Sequence, residues 1–229
     1  TVREELLNKI KPDRLKEEIN LILRLPDFYL CLERLYQLDM FPYIFPGSTW
    51  RRELGDIYPK LIKLLNRFSF LPLDCFLAKL SPLWGEMDPS YVEELKNRLA
   101  LSKTVIHKVT TYLDRKEELE RKLPDETLPD SQVYLLLHPL SNEFLLLLKA
   151  KWGEDSLPGK RIRDYLEEWR DVTPSLTGED LKRKGIPAGP IYAKILEKLK
   201  LAKIDGLVTS REEEERLVEK IWRNESNER

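Results

Sequence analysis

Leu176-Thr-Gly-Glu-Asp-Leu-Lys-Arg-Lys-Gly-Ile-Pro-Ala-Gly-Pro-Ile-Tyr-Ala-Lys-Ile-Leu196 is the stretch that decides the reading of this chain. It predicts a short helix, a glycine-proline loop and a second helix. Thr177 can cap the first helix, with Asp180 three residues on as the partner of a capping box. Gly185 suits the left-handed residue that ends a helix. Gly189-Pro190 then opens the next one, with proline where a missing N–H costs nothing. The result is a helix N-terminus behind a loop of small side chains. Its amide N–H groups can face a phosphate. Lys182, Arg183 and Lys184 stand just before the loop, with Lys194 and Lys198 on one side of the helix after it.

The same grammar runs outward along the chain. Leucine, lysine and glutamate dominate the 229 residues, and only 9 glycines interrupt them. β-branched residues are sparse, so helix is the expectation throughout. Helices are predicted over 2–10, 12–25, 27–38, 56–69, 73–80, 88–99, 102–119, 130–137, 140–151, 160–170, 178–184, 190–203 and 209–223. Leu15, Ile19, Ile22 and Leu23 share one face, as do Phe28, Leu32, Leu35 and Tyr36. Leu123-Pro-Asp-Glu-Thr-Leu-Pro129 reads as a linker. Helices 130–137 and 140–151 are apolar on several sides and should be the most buried. No pair of strands with hairpin chemistry is visible. The fold class is all-α, an elongated array of packed helices with no sheet.

Composition limits the function. Net charge is −1 with 34% charged residues, so affinity for nucleic acid must come from a local patch. Residues 158–206 hold eleven Lys/Arg against eight Asp/Glu, a modest excess that supports little by itself. Cys31 and Cys75 lie far apart in apolar runs and read as buried thiols of a reduced cytoplasm. His107 and His138 have no ligand-spaced partners, so no metal site is expected. Each apolar run is cut by charges or prolines, so no membrane span is expected. Trp84, Trp152, Trp169 and Trp222 read as packing residues, and Glu212 to Glu215 as a solvated helix start. The chain opens on Thr1, which fits a piece of a longer product.

Arg161-Ile-Arg-Asp-Tyr-Leu-Glu-Glu-Trp-Arg170, Leu176 to Leu181, Gly185-Ile-Pro-Ala-Gly-Pro190 and Leu207 to Glu215 resemble, in order, the C-terminal region of bacterial class II tRNA nucleotidyltransferases. These are the CCA-, CC- and A-adding enzymes of the poly(A) polymerase family. Residues 12–46 resemble that family's RNA-binding middle region, and 47–157 match loosely. The resemblance implies a remainder of the neck over 1–46, a helical body over 47–157 and a tail over 158–229. It implies tRNA as partner, held by Lys182, Arg183, Lys184, Gly185, Gly189, Lys194 and Lys198. Lys160, Arg161 and Arg163, which open the preceding helix against its dipole, are expected to join them.

The family's catalytic head carries a Gly-Ser segment followed by a carboxylate pair that binds two metal ions. Here Gly47-Ser48 is followed by Asp56-Ile-Tyr58, without the second carboxylate. Glu179-Asp-Leu-Lys-Arg183 matches the family's templating string, but its flanks belong to the tail. The resemblance therefore implies body and tail without a head. No cofactor is expected in this chain; magnesium, CTP and ATP belong to the head, covalently linked or separate. A cytoplasmic location is expected. The rival reading is a non-enzymatic helical module that binds protein. A third is a DNA-binding helix-hairpin-helix, which the loop resembles but exceeds by one residue.

Overall fold

A computed structural model describes residues 9–227. Among these residues there are thirteen α-helices, two 3-10 turns and no strand. We number the helices α1 (Pro12–Leu23), α2 (Phe28–Gln37), α3 (Phe41–Ile44), α4 (Leu54–Arg67), α5 (Cys75–Trp84), α6 (Val92–Arg98), α7 (Lys103–Lys122), α8 (Asp130–Leu137), α9 (Asn142–Trp152), α10 (Leu157–Glu167), α11 (Gly178–Arg183), α12 (Pro190–Ile204) and α13 (Arg211–Asn227). The helix expected over 2–10 lies almost wholly outside the described residues. The chain forms two compact units. One comprises residues through Pro124 together with Pro139–Ile162; the other comprises Asp125–His138 and Arg163 onward.

The first unit is built around α9, which packs on α4 and α5. Phe144 to Leu148 are apolar in an unbroken run, so no face of this helix suits water. All five are buried. The two charges that flank the run are buried too, and each has a polar partner, although one Glu143 oxygen, Oε2, has none. Glu143 accepts from the Asp74 N–H at 2.7 Å and from Lys108 Nζ at 2.9 Å. Lys149 Nζ donates to the Gly159 carbonyl at 3.2 Å. Unpaired, either charge would cost several kcal/mol.

Helix α4 turns Leu54, Tyr58, Leu61 and Leu64 inward at helical spacing. Tyr58 sits in an aromatic stack between Tyr29 and Trp50, at ring distances of 5.8 Å on both sides. Helix α1 buries Leu15, Ile19 and Leu23, and α2 buries Phe28 and Leu32. Tyr36, expected inward, is exposed and meets Phe41 edge-on at 5.3 Å. Helix α7 starts where Ser102 caps it, its hydroxyl accepting from the Val105 N–H at 3.2 Å.

The thiols differ from expectation. Cys75 is exposed and Cys31 partly so. The apolar run after Cys75 is real, but Cys75 is the first residue of α5, where a side chain still faces out.

The second unit holds α8, the latter half of α10, and α11 to α13. Leu176, Leu181, Ile186, Ile195, Leu199, Val218 and Ile221 form its core cluster. Ser131 at the start of α8 donates its N–H to Asp205 beyond the end of α12, at 2.7 Å. Among the described residues no helix is long and apolar enough to cross a membrane.

Candidate nucleic-acid interface

The corner between α11 and α12 is built by backbone chemistry. At its entry the Asp180 carboxylate accepts from the Thr177 N–H and hydroxyl, both at 2.8 Å. That is the reach-back half of a capping box. At the exit of α11, Gly185 has φ +76°, the left-handed region. The Gly185 N–H bonds to the Lys182 carbonyl at 2.9 Å, and the Ile186 N–H to the Leu181 carbonyl at 3.2 Å. This is a Schellman closure, and Ile186 and Leu181 share the core cluster as its hydrophobic partners.

Pro187, Ala188, Gly189 and Pro190 are all exposed. Gly189 is the N-cap residue of α12, and no side chain caps that helix. The Tyr192 N–H returns to the Gly189 carbonyl at 3.0 Å. The Tyr192 hydroxyl donates to the Ile186 carbonyl at 2.9 Å and pins the loop from beneath. A fifteen-residue helix thus presents its positive end at an exposed, small-residue turn.

Cations surround this turn. Lys182 and Arg183 are exposed, and Arg183 pairs with Asp180. Asp180 also takes Arg211 at 2.5 Å. The Thr177 N–H and hydroxyl, then Arg211, hold its carboxyl well below the usual carboxylate range. Lys194 and Lys198, four residues apart, are exposed on one side of α12. Lys184 is drawn instead towards α13, 3.4 Å from Glu219 and 3.6 Å from Glu215. So Lys182, Arg183, Gly185, Gly189, Lys194 and Lys198 belong to one exposed corner of the second unit, and Lys184 is tied to its acidic neighbour.

The other expected cations part company. Arg163 belongs to the second unit and pairs with the adjacent Asp164 at 2.7 Å. Lys160 is exposed in the first unit. Arg161 is only 5% exposed and donates to the Leu123 carbonyl at 2.8 Å. It finishes the C-terminal end of α7 and is not available to a surface ligand. The Asp56 region carries no metal pair: Asp56 lies in the first turn of α4, and Tyr58 is buried where a second carboxylate would stand. Among the described residues no cluster of three metal-binding side chains occurs.

One contributor was missed from the sequence. Glu214, read as part of a solvated run, is 1% exposed. Its carboxylate accepts from the Ser175 N–H at 2.9 Å and the Leu176 N–H at 2.9 Å, and lies 3.4 Å from Lys203 Nζ. Burial pushes its pKa up, but these donors outweigh it and hold it below the ordinary value. Glu214 thereby fixes the segment that leads into α11. The signal was present: Glu214, Val218 and Ile221 fall on one helical face, and the latter two are core. Glu213 meanwhile caps α13, accepting from the Thr209 and Ser210 N–H groups at 2.7 and 3.2 Å.

Comparison with known proteins bears on the chain as a whole. Residues 3–50 match the family described as "Probable RNA and SrmB-binding site of polymerase A". The A-adding tRNA nucleotidyltransferase of Geobacter sulfurreducens is 27% identical over 96% of this chain, which spans 26% of that protein. The CCA-adding enzyme of Thermotoga maritima, solved in complex with tRNA, superposes with a TM-score of 0.78 at 25% identity, over 96% of this chain and 54% of that one. An apo CCA-adding enzyme gives 0.78 at 26% identity, over 96% and 52%. The chain thus spans about a quarter of the first relative and about half of the two solved ones. By sequence and by fold together, the chain is similar to the C-terminal region of the tRNA nucleotidyltransferases.

Proposed function

We propose that this chain is the tRNA-binding body and tail of a tRNA nucleotidyltransferase that completes the 3′ CCA end. The catalytic head is a further domain, linked or separate, and magnesium, CTP and ATP belong to it. The observation that carries the reading is the uncapped start of α12 at Gly189-Pro190, exposed and flanked by Lys182, Arg183, Lys194 and Lys198. Amide N–H groups and a helix dipole complement a phosphate, and the cations add attraction without reading sequence. Double-helical RNA hides its base edges in a deep groove, so rigid helices that grip backbone and 2′-hydroxyls suit a duplex arm of tRNA. Lys160, Arg163 and Lys184 are secondary contacts in this reading. Chemistry by this chain alone is not part of it, because the residues near Asp56 do not fit a metal pair.

One observation favours the rival module. Leu21 on α1, Leu25 in the connection that follows and Leu30 on α2 are all about half exposed. They suit a protein surface such as a neighbouring domain, which is compatible with RNA binding elsewhere.

The test is direct binding of the whole chain to tRNA and to duplex DNA of equal phosphate count, by fluorescence anisotropy at 0.1 M salt. The reading expects tRNA to bind at least about ten-fold more tightly, because A-form shape and 2′-hydroxyls are recognised. Equal affinity for the two would favour a DNA-binding hairpin, and no binding to either would favour the protein module.

A further inference from the structure

A second feature of the same unit plays no part in the reading above. Tyr134 and His138 stand one turn apart at the end of α8. Their rings stack, with centroids 4.9 Å apart and planes at 22°. Tyr134 is buried, whereas His138 is exposed. Tyr165 of α10 lies beneath, 5.7 Å from Tyr134, and its hydroxyl is 3.2 Å from His138 Nδ1. The imidazole is therefore held in one orientation, its inner face covered by an aromatic ring.

Cations border the pair. Lys200 Nζ lies 4.6 Å from the Tyr134 ring centroid and donates to the Arg170 carbonyl at 3.2 Å. Partial burial, then Lys200 and then Arg170, keep the His138 pKa below its ordinary value, with Glu197 acting the other way. The ring is thus neutral at pH 7, with positive charge beside it. The stack buries the inner ring and leaves the outer one at the surface, backed and oriented.

That arrangement matches how proteins hold unpaired nucleotides: a base lies on an exposed aromatic face while a cation meets the flanking phosphate. We propose that His138, backed by Tyr134, is a stacking platform for an unpaired base of the bound RNA, with Lys200 beside it for the adjoining phosphate. The proposal rests on the RNA-binding reading and adds a contact of different chemistry: stacking, which is insensitive to salt, where the α12 corner is electrostatic.

The experiment compares His138→Ala, His138→Phe and Lys200→Ala on tRNA and on a blunt RNA duplex with no unpaired nucleotide. A thermal melt checks that each variant folds; His138 is exposed, so neither of its variants should lose its structure. His138→Ala should weaken tRNA binding about ten-fold with an unchanged salt slope, and should leave the blunt duplex unaffected. His138→Phe should return affinity to within about two-fold. Lys200→Ala should lower the slope of log affinity against log salt by about 0.7. The platform is refuted by any of three results: unchanged tRNA affinity in His138→Ala, an equal loss on the duplex, or failure of His138→Phe to rescue. Charge reversal at Lys182, Arg183 and Lys194 separates the two ideas. If that variant loses tRNA while His138→Ala does not, only the platform falls; if neither loses tRNA, the RNA-binding reading falls with it.

Discussion

Lys160-Arg161-Ile-Arg163 and Lys182-Arg183-Lys184 look alike in sequence: three cations each within a few residues. In the folded chain they have different fates. Arg161 points inward and completes α7 through the Leu123 carbonyl, whereas Lys182 and Arg183 stay in water beside an uncapped helix start. Register separates them. Arg161 falls four residues before Tyr165, on the face that α10 buries. Lys182 and Arg183 follow the last core residue of α11, Leu181, where the helix is already ending. A run of basic residues therefore says little until the buried face of its helix is known.

The sharpest way to break this contrast is Arg161→Ala. It strips a buried carbonyl of its charged donor and leaves a space where the side chain packed. Stability by urea denaturation should fall by about 3 kcal/mol, with tRNA affinity per folded molecule unchanged. A stable Arg161→Ala variant with weakened RNA binding would erase the distinction.

Glu214→Gln comes next, at about 2 kcal/mol, because two backbone N–H groups lose their charged acceptor. Its pH dependence has a definite sign. The folded-state carboxyls of Glu214 and Asp180 are both lowered, so their contribution is complete above the ordinary carboxylate range. It is lost as pH falls from that range through the lowered folded values. Stability should therefore decline on acidification in the wild type and less steeply in Glu214→Gln. Parallel curves would mean that Glu214 is not the clamp.

Gly185→Ala should cost about 1 kcal/mol from its left-handed backbone alone, since an added Cβ would meet nothing within 4 Å. The smallest effect belongs to Lys160→Ala. This exposed cation should change stability by less than about 0.5 kcal/mol, in contrast with its neighbour Arg161.

Much of the helix pattern was legible because proline, glycine and capping residues punctuate it. Ser102, Thr177-Asp180, Gly185 and Gly189-Pro190 each act in the role their chemistry suggests. The apolar run of α9 likewise announced its burial. What stayed hidden were tertiary pairings. Nothing local marks Leu123 as the partner of Arg161, thirty-eight residues away. Glu214 looked like its solvated neighbours until its register with Val218 and Ile221 was considered. Ser210-x-x-Glu213 was a readable capping box that composition obscured, since four consecutive glutamates suggest solvent. The His138 platform joins α8, α10 and α12, and no spacing in the chain foretells that meeting.

Contact between the α11–α12 corner and phosphate is the central claim to test. The most direct measurement is the slope of log affinity for tRNA against log salt, for the native chain and for Lys182→Glu/Arg183→Glu/Lys194→Glu. Each phosphate contact adds about 0.7–0.9 to that slope, so the triple variant should flatten it by about 2 and bind far more weakly at 0.1 M salt. A triple variant that folds normally and keeps the native slope would contradict it.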